Sequence, residues 1–186
     1  MRSESTRMRR LIDDLLILSK LESGDTVADE DEIRLAALLS RVLDSARALS
    51  GGRHHIELIE PVPALSIKGS ASELESALGN LLSNAVRYTP LAGKITVACT
   101  FGDEDLSIEV RDSGPGIASE HIPRLTERFY RVDKSRSRET GGTGLGLAIV
   151  KHVMLRHQGS LQVESELGKG SSFALHLPRQ RIIINQ

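Results

Sequence analysis

Apolar residues recur at steps of three and four over residues 3–22, where Met8, Leu11, Leu15 and Leu18 form a stripe that Ile12, Leu16 and Leu21 widen. That period fits a helix with one broad apolar face. Leu11, Leu15 and Leu18 alone would suit a coiled-coil seam. The helix is therefore expected either to pack on the rest of the chain or to meet a copy of itself. Gly24 and the acidic run DTVADEDE break the pattern and read as a linker. EIRL then reads as a short strand, and AALLSRVLDSARALSGG as an amphipathic helix closed by glycine. HHIELIE and ALSIKG read as strands around the Pro61–Pro63 turn. Ser70 or Ser72 can cap a helix that runs to about Tyr88 and stops before Pro90. KITVACTF and LSIEVRD alternate apolar with polar positions and are joined by GDED, a hairpin. An irregular segment rich in glycine and arginine covers 112–142. A helix is expected from about Thr143 to His157, followed by the strands SLQVESE and SSFALHL joined through LGKG. The last residues, RIIINQ, carry no pattern and read as a tail.

Hairpins mixed with helices, without internal repeats, predict an α+β fold: a mixed, mostly antiparallel sheet with helices on one face, preceded by one long N-terminal helix. The chain has 186 residues, enough for one ordinary core. Aromatic residues make up only 3% and there is no Trp, so the core must be aliphatic. The net charge is -1, which gives no electrostatic case for a nucleic-acid partner. The single cysteine, Cys99, excludes an internal disulfide and lies in an alternating run as a small core residue. There is no run of about 18 apolar residues to span a membrane and no apolar signal-peptide core.

Four constellations carry candidate chemistry. In ELGKGSS, position 163 is Val and position 170 is Gly, so a phosphate loop of the Gly-x4-Gly-Lys-Ser/Thr kind is excluded and a hairpin turn remains. In GTGLGL, Ile149 stands where a dinucleotide fingerprint needs its third glycine, and a polar run precedes it in place of a strand. What remains is physical: Gly142, Gly144 and Gly146 are expected to open a helix, with Thr143 and Leu145 between them. A helix start presents unpaired N–H groups and a positive dipole end, and glycine lets backbone approach an anion closely. A flexible hinge is the alternative reading. DSGPGI places Asp112 at a strand's end, with Gly114 and Gly116 leaving a slot beside it. A buried carboxylate there accepts from an amine-bearing ring and rejects a ring presenting a carbonyl, which favours adenine over guanine.

On the helix at 70–89, Asn80, Asn84, Arg87 and Tyr88 fall at i, i+4, i+7 and i+8, beside a core stripe of Leu74, Ala77, Leu78, Leu81, Leu82 and Ala85. Such a face is either ordinary surface or a ligand face. An amide oxygen suits a Mg²⁺ shared with phosphates. Finally, TERFYRVDKSRSRE sets Phe129 and Tyr130 as apolar anchors among Arg124, Arg128, Arg131, Arg136 and Arg138. The alternative readings are a solvated charge run or a cationic lid over a triphosphate.

Together these segments resemble the ATP-binding domain of bacterial sensor histidine kinases over about 150 residues. NLLSNAVRYTP resembles that family's asparagine box, DSGPGI its first glycine box, ERFYRVD its phenylalanine box and GGTGLGLAIVKH its second glycine box. The stretch from EHIPRL to AIVKH is similar to the phosphate-regulon branch of the family. The resemblance implies a two-layer α/β sandwich of the Bergerat type, with ATP and Mg²⁺ as cofactors. It implies that Asn84 coordinates Mg²⁺ and Asn80 supports metal and phosphates. Arg87 and Tyr88 would contact phosphate, ribose or base. Asp112 would accept from the adenine amine between Gly114 and Gly116. Arg131 would reach the γ-phosphate, Gly142, Thr143, Gly144, Leu145 and Gly146 would border the phosphates, and Phe129 would anchor a lid.

LIDDLLILSKLESG is similar to the end of the second helix of the family's dimerisation and phosphoacceptor hairpin. This implies four parts: hairpin helix 1–23, linker 24–31, ATP-binding domain 32–178 and tail 179–186. None of His54, His55, His121, His152, His157 or His176 lies in a phosphoacceptor context, so the chain is expected to hold the donor site and lack the acceptor. The implied partners are its own phosphoacceptor hairpin, a second copy through Met8, Leu11, Leu15 and Leu18, and a PhoB-like response regulator. The implied place is the cytoplasmic portion of a bacterial inner-membrane sensor. Relatives of the same fold that hydrolyse ATP carry a glutamate four residues before the metal-binding asparagine. Here that position is Asn80, which cannot act as a general base. A nucleotide-sensing module without catalysis is the other alternative.

Overall fold

The computed structural model describes residues 2–24, 30–59, 61–132 and 142–184. The long first helix, α1 (Arg2–Glu22), is followed by β1 (Asp31–Arg34), α2 (Leu35–Ser50), β2 (His55–Leu58) and β3 (Leu65–Gly69). Then come α3 (Ala71–Tyr88), the hairpin β4 (Lys94–Phe101) and β5 (Asp105–Asp112), and α4 (Gly146–Arg156). The chain closes with β6 (Ser160–Glu166), β7 (Gly170–Pro178) and β8 (Ile182–Ile184).

The caps follow local chemistry. Gly51 closes α2 in the left-handed region with φ 57°, a conformation that costs glycine little. Of the two candidate serines, Ser70 caps α3, its hydroxyl accepting from the Glu73 amide. The expected start of the last helix moves from Thr143 to Gly146, because Gly144 has φ 75° and cannot belong to a right-handed helix.

The expected single sheet is two. The larger has strand order β2-β4-β5-β7-β6, with β2 parallel to β4 and the remaining neighbours antiparallel. The smaller has the order β1-β3-β8 and is antiparallel. The expected tail is part of it: Ile182 pairs with Ile67 and Ile184 with Leu65. Just before β8, Arg181 is buried and pairs with Glu30 while reaching the Lys68 carbonyl.

In the large sheet Ile95, Val97 and Cys99 of β4, Leu106, Ile108 and Val110 of β5, and Phe173, Leu175 and Leu177 of β7 are buried. Their alternate neighbours are more open, so one face meets the helices and the other does not. Against the buried face α3 lays Leu74, Ala77, Leu78, Leu81, Leu82 and Ala85, and α4 adds Ile149, Val150 and Val153. Each fully buried leucine of this kind contributes about 2 kcal/mol. The core is aliphatic, as the composition requires.

Helix α1 packs on α4 and buries Leu18 and Leu21 in the same core. Leu18 therefore does not lie on a free seam. Leu11 is half-buried, whereas Met8, Ile12, Leu15 and Leu16 are exposed. Among the described residues, no helix is long and apolar enough to cross a membrane.

Candidate functional site

Strand β5 carries its inward register one step past Val110, so that Asp112, a carboxylate, takes a position that the alternation reserves for an apolar side chain. It is 9% exposed. The Gly114 amide donates to its Oδ1 at 2.8 Å, and the Ser171 amide also bonds to the carboxylate. Burial raises the Asp112 carboxyl pKa from its ordinary value, and these two amides pull it partly back. The surrounding glycines are required by packing. A Cβ at Gly116, where φ is 72°, would lie 2.0 Å from the Glu166 carbonyl oxygen, and one at Gly170 would lie 2.0 Å from that of Asp112. Gly116 thus seats the segment after β5 against the β6–β7 turn. Gly114 is the glycine that faces the carboxylate itself, and its added Cβ would also stand 3.2 Å from the Tyr88 carbonyl oxygen.

The second wall is α3. Asn80, Asn84 and Arg87 are half-buried, and Tyr88 is exposed at the helix end. The Asn80 amide nitrogen donates to the Ser76 carbonyl at 2.9 Å. Its oxygen faces α4: a Cβ at Gly146 would come within 2.6 Å of it. Asn84 makes no side-chain hydrogen bond among the described residues, which leaves its amide oxygen available. Among these residues no group of His, Cys, Asp and Glu could hold a metal by itself. A metal here would be shared between the neutral Asn84 amide and anionic ligand oxygens, and the donor chemistry fits Mg²⁺ in that role.

The third wall is the segment entering α4. A Cβ at Gly142 would lie 3.5 Å from Arg131 Nη2, 3.7 Å from Arg87 Nη1 and 3.9 Å from Tyr88 Oη. Two guanidinium groups and a phenol from separate parts of the chain thus converge beside bare backbone. Burial lowers the Arg87 pKa, Arg10 and Arg131 lower it further, and Tyr88 and Asp14 oppose the change. The glycines of this loop divide by role. Gly144 accepts from the Phe129 amide at 2.9 Å, and its own Cβ would meet the Phe129 backbone at 2.9 Å. Gly146 makes room for Asn80. Only Gly142 borders the cationic groups with space to spare. Leu145 is a core residue whose backbone amide donates to Thr143 Oγ1 at 3.3 Å.

Phe129, expected as an anchor, is 57% exposed with φ 63°. It is held by its backbone rather than its ring. Tyr130 is the anchored ring instead: its hydroxyl lies 2.7 Å from His121 Nδ1, and the Arg124 guanidinium sits 4.3 Å from its centroid. Arg136 and Arg138 lie outside the described residues. The structure therefore groups Arg87, Tyr88, Arg131 and Gly142 at one end of α3, with Asp112 and Gly114 beside the Tyr88 backbone. Gly170 and Ser171 belong to the same site. Local pattern marks them only as a hairpin turn, because their role arises from the β5–β7 register. Arg10 and Asp14 of α1 also reach this end.

Comparison with known proteins fits this geometry. Residues 69–181 match the family described as histidine kinase-, DNA gyrase B- and HSP90-like ATPase. The phosphate regulon sensor protein PhoR of Pseudomonas aeruginosa is 48% identical over 176 residues, covering 95% of this chain and 40% of that protein. The protein of that name from Haemophilus influenzae is 40% identical over 185 residues, covering 98% of this chain and 43% of its own. The chain thus spans about two fifths of the length of these relatives. Among solved structures, full-length ShkA in complex with AMPPNP superposes with a TM-score of 0.76 at 27% identity, covering 94% of this chain and 36% of that one. The mycobacterial sensor histidine kinase MprB gives 0.71 at 28% identity, covering 81% of this chain and 97% of that one.

Proposed function

The chain belongs to the histidine kinase-, DNA gyrase B- and HSP90-like ATPase family, and on that premise we propose that it is the phosphoryl-donor part of a two-component sensor histidine kinase. It binds ATP and passes the γ-phosphoryl group to a histidine outside these 186 residues. From there the group moves to an aspartate of a response regulator, of the PhoB kind if the likeness to the PhoR proteins extends to partners. The setting would then be phosphate-starvation signalling, with this part on the cytoplasmic side of an inner-membrane sensor.

The observation that carries the reading is the pairing of two chemistries across one helix end: a buried carboxylate at Asp112, and a cationic group of Arg87 and Arg131 around Gly142. Asp112 accepts from the adenine amine. Arg87 and Tyr88 orient ribose and phosphates, and Arg131 neutralises charge on the γ-phosphate. Asn84 takes the Mg²⁺, with Asn80 behind it. Bound with the nucleotide, the ion supplies charge neutralisation along the triphosphate. In the transfer, the bond from the γ-phosphorus to the bridging oxygen breaks and a bond to the imidazole nitrogen forms. ADP leaves with the electron pair. The protein's share is positioning and electrostatic stabilisation. The AMPPNP bound to ShkA supports a triphosphate ligand.

Helix α1 serves as the second helix of a dimerisation hairpin. Its exposed Met8, Ile12, Leu15 and Leu16 would meet the rest of a four-helix bundle. ATP hydrolysis by this chain is disfavoured by Asn80, whose amide is committed to Ser76 and offers no base.

The test is transfer in trans. With labelled ATP, the chain is expected to phosphorylate a separately made acceptor hairpin of the same sensor, and Asn84→Ala is expected to abolish the transfer. Stoichiometric phosphohistidine on the chain alone would refute the division into donor and acceptor.

A further inference from the structure

Helix α1 does more than cover apolar surface on α4. The Thr143 hydroxyl donates to Asp14 Oδ2 at 2.6 Å, a contact between residues 129 positions apart. The same hydroxyl oxygen accepts from the Leu145 amide. The Thr143 hydroxyl is therefore committed to α1 while that helix is docked. Burial and Arg10 of the same helix lower the Arg87 pKa, and Asp14 sets a carboxylate close enough to oppose them in part. At the other end of α1, Glu22 pairs with Arg128 and lies 3.4 Å from His152. There Arg156 reaches the Leu21 carbonyl at 3.5 Å and that of Gly24. Leu18 and Leu21 are buried between these polar contacts.

We infer that Asp14 is a latch that makes α1 docking and nucleotide binding oppose one another. The inference rests on the proposed triphosphate site. A triphosphate beside Gly142 meets a fixed carboxylate, and it competes for a hydroxyl already donated to that carboxylate. Binding must displace Asp14 or tolerate its charge. By linkage, whatever affinity docking removes from the nucleotide, the nucleotide removes from docking. The site thus reports its occupancy to the helix that would join the bundle, and a movement of that helix tunes the site. Asp13 supplies an internal control. It carries the same charge on the same helix but is exposed.

The experiment titrates ATP with Mg²⁺ into the full chain and into Asp14→Ala, Asp14→Asn and Asp13→Ala, alongside amide hydrogen exchange of α1 with and without ATP. Asp14→Ala is expected to tighten ATP by about fivefold or more, with Asp14→Asn between it and the parent and Asp13→Ala equal to the parent. Saturating ATP is expected to speed exchange in α1. Equal affinity in Asp14→Ala and Asp13→Ala, or α1 exchange that ATP leaves unchanged or slows, overturns the latch alone. Absence of ATP binding in every folded variant overturns the latch together with the nucleotide site beneath it.

Discussion

The two ends of the site are built in different ways. At the Asp112 end almost every constraint is backbone: the Gly114 and Ser171 amides hold the carboxylate, and Gly116 and Gly170 lie so close to neighbouring carbonyls that no Cβ fits. At the Gly142 end the groups are side chains, Arg87, Tyr88, Arg131 and Thr143, gathered from separate elements and touched by α1. The first end is fixed by the fold. The second can be altered without disturbing it. On the proposed function, the rigid end would hold the base and the adjustable end the phosphates, an arrangement for constant ligand identity and variable affinity.

The same substitution at the two ends should expose this difference most strongly. Gly116→Ala combines a left-handed φ with a collision against the Glu166 carbonyl. It is expected to destabilise the fold by about 3 kcal/mol, read as a lowered denaturant midpoint. Gly142→Ala meets only side chains at ordinary contact distance. Its stability should stay within about 0.5 kcal/mol, while ATP affinity falls because a methyl group enters the cationic pocket. If the two substitutions cost the same stability, the contrast is lost.

Next in size is Asn84→Ala. Among the described residues Asn84 makes no side-chain hydrogen bond, so removing its amide should weaken ATP·Mg²⁺ by about tenfold or more, roughly 1.4 kcal/mol. Thermal stability should not change. A fall in melting temperature without loss of affinity would make Asn84 structural.

The smallest effect sharpens the Asp112 end. The folded pKa of Asp112 is raised, so the native state favours the protonated acid. That stability is fully present below the unfolded value, about 3.9, and is lost as pH rises through the raised folded value. Asp112→Asn removes the penalty. The variant is expected to melt a few degrees higher than the parent at neutral pH, with the difference shrinking on acidification. It should also lose ATP affinity. A difference that grows toward low pH would contradict the assignment.

How much of this was legible from the chain depends on distance along it. Periods of two and 3.6 identify α2, α3, the β4–β5 hairpin and β6–β7, because those signals are local. Strand β8 escapes notice because it is a short run of isoleucines without alternation, and its partner β3 lies more than a hundred positions earlier. The two-sheet division escapes notice for the same reason. At the cleft, Asp112, Asn84 and Arg87 are picked out as candidates by residue type and spacing. The different duties of Gly116, Gly142, Gly144 and Gly146 are not, since glycine gives the same letter whether it spares a collision or borders a ligand. The Asp14–Thr143 contact has no trace in either local pattern.

Isothermal titration of ATP·Mg²⁺ into the folded chain decides whether this cleft takes the nucleotide with its metal. Saturable binding at one site per chain is expected, strongly weakened by Asn84→Ala. A folded chain that gives no binding signal would refute the proposed site.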